Sequence, residues 1–289
     1  MLIKRKITVA VTGANGYIGR QVVKYLLERN CEVICIDVSF SDLPYGAKIV
    51  NANILDCNEK MYEELGEPEV VIHLAWRKGF IHTAPEHMLD VSKHFSFIRN
   101  MLISGLKNLT VMGTMHEVGY FEGCINENTP CNPLSQYGIA KHALQTSLSE
   151  MINREYNDVS FKWLRGFYIQ GNDEFSSSIF SKILMAESNG QALFPFNSGK
   201  NKYDFISVEE IAKQIAESAL QTKIDGIINC CSGNPISLAD KVEKFIKDRN
   251  LNIRLDFGKF PDRAYDSPLI YGNNEKISKI LSNCRRTEL

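Results

Sequence analysis

Long hydrophobic runs are missing from the 289-residue chain. None approaches the roughly 18–20 apolar residues that a bilayer-spanning helix needs, so no membrane span is expected. An excess of either charge is missing as well: 33 Lys+Arg face 34 Asp+Glu, for a formal net charge of −1. That balance argues against a nucleic-acid or membrane-surface role driven by a broad basic field. A small anion held by a few local cations stays compatible with it. The eight cysteines show no Cys-x-x-Cys or Cys/His ligand spacing, and His82 and His87 lack a third ligand at useful separation. No metal site is expected. Several of these thiols fall in apolar runs, where cysteine behaves as a small hydrophobe, which fits a reducing cytoplasm. Repeats and low-complexity tracts are absent. "MLIKRKITVAVTG" sets basic residues before an apolar stretch, but the stretch is short, β-branched and runs into a glycine turn. It reads as a first strand rather than a secretion signal.

What the chain does contain is an alternation of β-branched runs and helical patterns over its first two thirds. "KITVAVTG", "CEVICIDV", "AKIVNANI", "PEVVIHLAW", "NLTVMGT" and "VSFKWLRGFYIQG" read as strands, with amphipathic stretches between them. Strands without polar alternation, separated by helices, predict an α/β fold: a Rossmann-type, doubly wound parallel sheet covered on both faces. The rhythm changes near residue 166. Residues 1–165 are expected to form a dinucleotide-binding domain and residues 166–289 a smaller, mixed substrate lobe, partly interleaved with the first.

Two stretches carry chemistry. "VTGANGYIGR" places Gly13, Gly16 and Gly19 between a strand and a helix. Glycines there let the backbone approach a pyrophosphate over the N–H groups that open the helix. Asn15, Tyr17 and Ile18 share this turn and are expected cofactor contacts. Asp37 ends the second strand, 18 residues after Gly19. A carboxylate at that place accepts hydrogen bonds from the adenosine ribose and repels a 2′-phosphate, so the expected cofactor is NAD. Asn53 and Ile54, after the third strand, are read as adenine contacts. Leu74, Ala75 and Trp76 follow the fourth strand and border the nicotinamide position.

The second stretch is "NPLSQYGIAKHALQ", in which Tyr137 and Lys141 are four apart and share a helix face. Tyr137 is the only one of eleven tyrosines with a lysine at that spacing. Thr114 ends the fifth strand, where open α/β sheets present residues to ligands. A tyrosine hydroxyl titrates near 10, and a neighbouring ammonium and the nicotinamide ring would favour its phenolate. Tyr137 is thus expected to exchange a proton with a sugar oxygen, Lys141 to hold the nicotinamide ribose, and Thr114 to fix the reacting oxygen.

These motifs, with "GTMHEVG", "LRGFYIQG" and "YDFISVEEIA" in order, give a chain that resembles the extended short-chain dehydrogenase/reductases. This is the sugar-nucleotide epimerase/dehydratase/reductase group. The resemblance implies a nucleotide-diphospho-sugar substrate and a homodimer built through a four-helix bundle of helices near 85–106 and 134–157. Dehydratases of the group carry Asp-Glu after the hydroxyl residue, where this chain has Met115 and His116, so dehydration is disfavoured. Glu117 is the next proton carrier if the correspondence slips by one. Tyr168 replaces the asparagine of UDP-sugar epimerases and is similar to the 4-keto-6-deoxy-sugar reductases. Tyr203 stands where relatives place a pyrophosphate-binding arginine, leaving Lys200, Lys202 and the later Arg263 as candidates. Arg77, His116, Tyr168 and Arg263 are the expected substrate contacts. The reading favours an NAD(H)-dependent 4-ketoreductase, with a 4-epimerase second and an NAD-sensing binding protein as the reading from another class.

Overall fold

The computed structural model describes residues 5–41, 43–56, 58–171, 178–262 and 266–286. The chain runs through β1 (Thr8–Thr12), α1 (Gly19–Glu28), β2 (Glu32–Asp37), β3 (Lys48–Asn51), α2 (Met61–Glu64) and β4 (Val70–His73). Next come α3 (Glu86–Ile103), β5 (Asn108–Thr114), β6 (Gly123–Ile125), α4 (Gln136–Glu155) and β7 (Ser160–Gly166). The later part holds β8 (Tyr168–Gln170), α5 (Ile179–Ser188), β9 (Leu193–Pro195), β10 (Lys202–Tyr203), β11 (Phe205–Ser207), α6 (Val208–Ala219) and β12 (Gly226–Cys230). It closes with β13 (Ile236–Ser237), α7 (Leu238–Asp248), β14 (Arg254–Asp256), β15 (Leu269–Gly272) and α8 (Glu275–Arg286).

Seven strands form one sheet in the order β12-β7-β5-β4-β1-β2-β3. Every pairing in it is parallel. Side chains alternate across such a sheet, and here both faces are apolar. Val9, Val11, Val33 and Cys35 meet Val22 and Leu26 of α1, Ile211 and Ile215 of α6 and Ile280 of α8. Ala10, Ile34, Ile36 and Val111 meet Phe97, Ile98 and Met101 of α3 and Leu144 and Leu148 of α4. Full burial of each large apolar side chain contributes about 1.5–3 kcal/mol, so these two layers carry the fold. Cys31, Cys35 and Cys230 are buried among them, and the described cysteines are all free. The strand order reverses between β1 and β4. Such a reversal opens a crevice beyond the strand carboxyl ends, and the cofactor turn and Leu74 both lie there.

Past Gly166 the structure departs from the sequence reading. "VSFKWLRGFYIQG" is two strands, not one. The partner strand β5 ends at Thr114 opposite Gly166, and residues 168–170 pair instead with β11. A four-stranded mixed sheet, β13-β10-β15-β6, lies beside the crevice. Asp204 ties it to neighbouring loops: its buried carboxylate accepts from the Ser232 N–H (2.8 Å) and hydroxyl (2.6 Å), and from the Gly233 (2.9 Å) and Gly272 (3.1 Å) N–H groups. β12, α6 and α8 from this later half pack on the parallel sheet. α8 was not anticipated, although Ile277, Ile280 and Leu281 have helical spacing.

Candidate active site

The cofactor turn is set by local backbone demands. At Gly13 the chain adopts φ +68°, and a Cβ there would lie 2.7 Å from the Ala75 nitrogen. At Gly19 it would lie 2.1 Å from the Gly13 oxygen, so α1 packs onto the turn only with glycine. No side chain caps the start of α1 and its first turn carries no acid, which leaves its N-terminal dipole facing outward. Gly13, Gly16, Tyr17, Ile18 and Gly19 line a cavity of about 900 Å³, together with Leu74 and Trp76. Asp37 ends β2 beside the turn, its carboxylate accepting from the Asn15 (2.9 Å) and Val38 (2.8 Å) N–H groups. The Asn15 side chain accepts from Ser41 N–H at 3.3 Å. Arg20, absent from the sequence reading, donates to the Asn15 carbonyl and the Ser41 hydroxyl, each at 2.8 Å, and braces the same corner. Ala75 donates its N–H to the Thr12 hydroxyl at 3.3 Å, so it supports the turn from behind.

Asn53 and Ile54 do not line the cavity. Asn53 is spent on its own turn, donating to Asp56 (2.6 Å) and accepting from Leu55 N–H (3.2 Å), while Ile54 is buried in the core beside α3.

Thr114, Tyr137 and Lys141 line the same cavity. Ser135 caps α4 by accepting from Gly138 N–H at 3.1 Å, which puts Tyr137 in the first turn. The Thr114 hydroxyl hydrogen-bonds the Tyr137 side chain and pulls its pKa down, but burial outweighs this and pushes it up to about 12. Lys141 is held by two other partners. Its ammonium donates to the Met112 carbonyl at 2.6 Å and lies 3.8 Å from the Trp76 ring centroid. Burial pulls its pKa down to about 7, against an opposing pull from Glu117. In the protein without cofactor, desolvation is the largest influence on both groups.

Histidines, which the sequence reading left mostly unassigned, enclose this core. Trp76 stacks on His94 (4.5 Å, 12°), and its indole N–H donates to His87 Nδ1 at 2.9 Å. His87 Nε2 then donates to the Ile81 carbonyl at 2.9 Å. Behind them His73 joins His94 (3.0 Å) and Thr12 (2.9 Å). Burial lowers the pKa of His73, and that of His94 to about 3, so both are neutral. His82 and His116 stand edge to face at 4.4 Å beside Tyr137.

The remaining expected residues divide. Tyr168 and His116 line the cavity, and Tyr168 lies 4.6 Å from Tyr203, centroid to centroid. Arg77 is not among the lining residues; its guanidinium grips Asp90 of α3 at 2.7 and 2.9 Å and anchors the loop. Glu117 is fully buried, accepting from Thr114 N–H (2.7 Å), Trp163 (2.9 Å) and Arg165 (3.2 Å). It supports Thr114 from below, its carboxylate committed to these donors. Arg263 lies outside the described residues. The cavity also takes Lys78, Phe80 and His82 from the loop after β4, and Phe180, Phe205 and Asp266 from the later half. Position after a strand end pointed to that loop, but nothing local distinguished its pocket residues.

A family profile described as "NAD dependent epimerase/dehydratase family" matches residues 9–231. The chain belongs to this family. NAD is its cofactor, and the glycine turn, the uncapped start of α1 and the fixed Asp37 carboxylate fit it. Among curated proteins the chain is 44% identical over 269 residues to a dTDP-6-deoxy-L-talose 4-dehydrogenase (NAD(+)) from Aggregatibacter actinomycetemcomitans, covering 91% of this chain and 98% of that one. Among solved structures it superposes on UDP-N-acetylglucosamine 4-epimerase from Methanobrevibacter ruminantium with a TM-score of 0.81. That match has 21% identity and covers 96% of this chain and 92% of the other. A Thermus thermophilus UDP-glucose 4-epimerase complex with NAD matches with a TM-score of 0.76 and 18% identity, covering 96% and 93%. At these identities the two structures establish the shared fold alone.

Proposed function

We propose that this family member interconverts the C4 hydroxyl and C4 keto forms of a dTDP-linked 6-deoxyhexose. The 44% identity to a dTDP-6-deoxy-L-talose 4-dehydrogenase, over nearly the whole of both chains, carries the substrate class. Thr114, Tyr137 and Lys141 in one cavity with the glycine turn support the chemistry. When bound, NAD supplies the hydride acceptor or donor. The protein's part is proton movement and positioning. In the oxidising direction Tyr137 Oη takes the proton of the C4 hydroxyl, and in the reducing direction it returns one to the C4 oxygen. The Thr114 hydroxyl, already bonded to Tyr137, orients that oxygen. Lys141, lying deep in the cavity, favours the phenolate once its ammonium turns from Met112 toward the tyrosine.

Oxidation and reduction at C4 are two directions of one reaction, so the ketoreductase expected from the sequence and a 4-dehydrogenase share this machinery. We assign the dehydrogenase direction on the relative's name and read the mixed later half as the substrate lobe. The test is the near-ultraviolet absorbance of NADH, with NAD+ and a panel of dTDP-6-deoxyhexoses, and with NADH and the corresponding 4-keto sugars. Cofactor turnover matched to sugar oxidised supports the proposal. C4 inversion without net cofactor turnover would replace it with epimerase. The outward faces of α3 and α4 expose Leu89, Ile103 and Ile139. They are expected to pair two copies as a four-helix bundle, and sedimentation showing a monomer at micromolar concentration would rule that out.

A further inference from the structure

We propose that His82 and His116 together form the sugar-orienting subsite, a pair of uncharged imidazoles that hydrogen-bonds adjacent hydroxyls of a hexose. The inference rests on reading the substrate as a nucleotide-linked sugar. A second cavity, of about 310 Å³, lies next to the first, and the two share His82, His116, Tyr168 and Asp266 in their walls. The imidazoles therefore stand at the junction, beside the hydroxyl that moves the proton. The His82 ring lies nearly parallel to Tyr137 (5.1 Å, 19°), and the His116 ring is 6.1 Å from it.

Both rings are held in place without using their nitrogens. Tyr137 N–H donates to the His82 carbonyl at 3.0 Å, which fixes His82 to the first turn of α4. The loop carrying it is pinned by the His87 bond to Ile81 and by a turn in which Ile81 N–H donates to the Lys78 carbonyl at 2.7 Å. His116 N–H donates to the Thr114 hydroxyl at 3.3 Å, in the turn that follows β5. Yet neither imidazole nitrogen pair has a hydrogen-bond partner among the described residues, while His73, His87 and His94 all do. Both residues are part-buried and line the two cavities, so these nitrogens are open to a ligand rather than committed to the protein.

The chemistry of the ligand follows from charge. Burial lowers the pKa of both groups, that of His116 to about 4. A neutral imidazole has one donor and one acceptor nitrogen, which complements hydroxyls, each able to give and accept. Two such rings 4.4 Å apart match neighbouring hydroxyls on a sugar ring. No group of three metal-ligating side chains occurs among the described residues. Asp266 is the only formal charge among the described residues lining the second cavity, which favours an uncharged sugar.

The test compares His82→Phe and His116→Phe, which keep a ring against Tyr137 and lose only the nitrogens. The substrates are the dTDP-6-deoxyhexose turned over by the wild type and its 2-deoxy and 3-deoxy analogues. NAD binding, measured by titration, is expected to stay within about twofold. kcat/KM for the full sugar is expected to fall at least about tenfold in each variant, mainly through KM. Each variant is also expected to lose the wild type's discrimination against one deoxy analogue. A KM within twofold of wild type in both variants overturns the subsite alone. So does an equal loss for full and deoxy sugars. A wild type that turns over no hexose in the panel overturns the substrate reading and the subsite with it.

Discussion

Lys141→Met isolates the cost of keeping an ammonium in this cavity. Burial moves the Lys141 pKa from 10.5 to about 7, so the folded chain holds its proton less tightly than the unfolded chain. A shift of that size corresponds to about 5 kcal/mol favouring the neutral form. The sign follows from proton counting. Between pH about 7 and 10.5 the unfolded state binds more protons, and wild-type stability rises with pH through that window. Below it both states are charged and the penalty is complete. Methionine is close in length and carries no charge, so the variant escapes the penalty at pH 6. It also loses the bond to Met112 and the contact over Trp76, each worth about 1–2 kcal/mol. These losses are independent of pH only while Lys141 is protonated, so the pH trend is the informative quantity. Any advantage of the variant is expected to shrink by about 1.4 kcal/mol per unit above pH 7, roughly 2–3 kcal/mol by pH 9. For a chain of this size that is a change of several degrees in relative Tm. The assay is thermal unfolding of both NAD-free proteins from pH 6 to 9. His94 and His116 titrate below this range and Tyr137 above it, so they do not imitate the effect. A stability difference that stays constant from pH 7 to 9 would refute the buried, depressed ammonium.

Tyr137→Phe is expected to bind NAD as the wild type does and to lose turnover at least about a hundredfold; unchanged kcat would remove Tyr137 from the proton path. Asp37→Ala should raise the NAD dissociation constant more than that for NADP, since a carboxylate at the end of β2 favours ribose hydroxyls and repels a 2′-phosphate; equal effects in titration would displace it from the ribose. Arg165→Met strands the buried Glu117 carboxylate and is expected to destabilise by about 3–5 kcal/mol in urea unfolding, whereas an exposed pair would cost under about 1 kcal/mol.

The parts of this molecule that were legible from sequence are those whose partners lie close along the chain. Gly13 and Gly19 belong to one strand–turn–helix unit, and the positive φ at Gly13 and the close approach at Gly19 both arise inside it. Tyr137 and Lys141 share a helix face by spacing alone. The strands of the parallel sheet announced themselves because both faces are buried, which removes polar alternation. By contrast, β8 looked continuous with β7 because its own residues are equally apolar. What separates them is the end of β5 at Thr114, on a strand some fifty positions earlier.

The illegible part of the site has one physical origin: the meaning of a polar side chain depends on what meets it across the fold. Arg77 follows the strand end where ligand contacts gather, but Asp90, inside α3, claims it first. Glu117 stands beside Thr114, yet Trp163 and Arg165 of β7 bury it and give it a structural task. Spacing placed Lys141 on the face of Tyr137 without revealing that the Met112 carbonyl and the Trp76 ring hold its ammonium elsewhere. His82 is the converse case. It had no local signature, being one polar residue in a loop, and gains its place because Tyr137 N–H binds its carbonyl and turns its ring toward His116. The chain therefore places Tyr137 and Lys141 by local spacing and the residues around them by long-range contacts. Under the proposed function, substitutions in the loops after β4 and β5 are expected to alter which sugar hydroxyls are recognised while leaving the C4 chemistry intact.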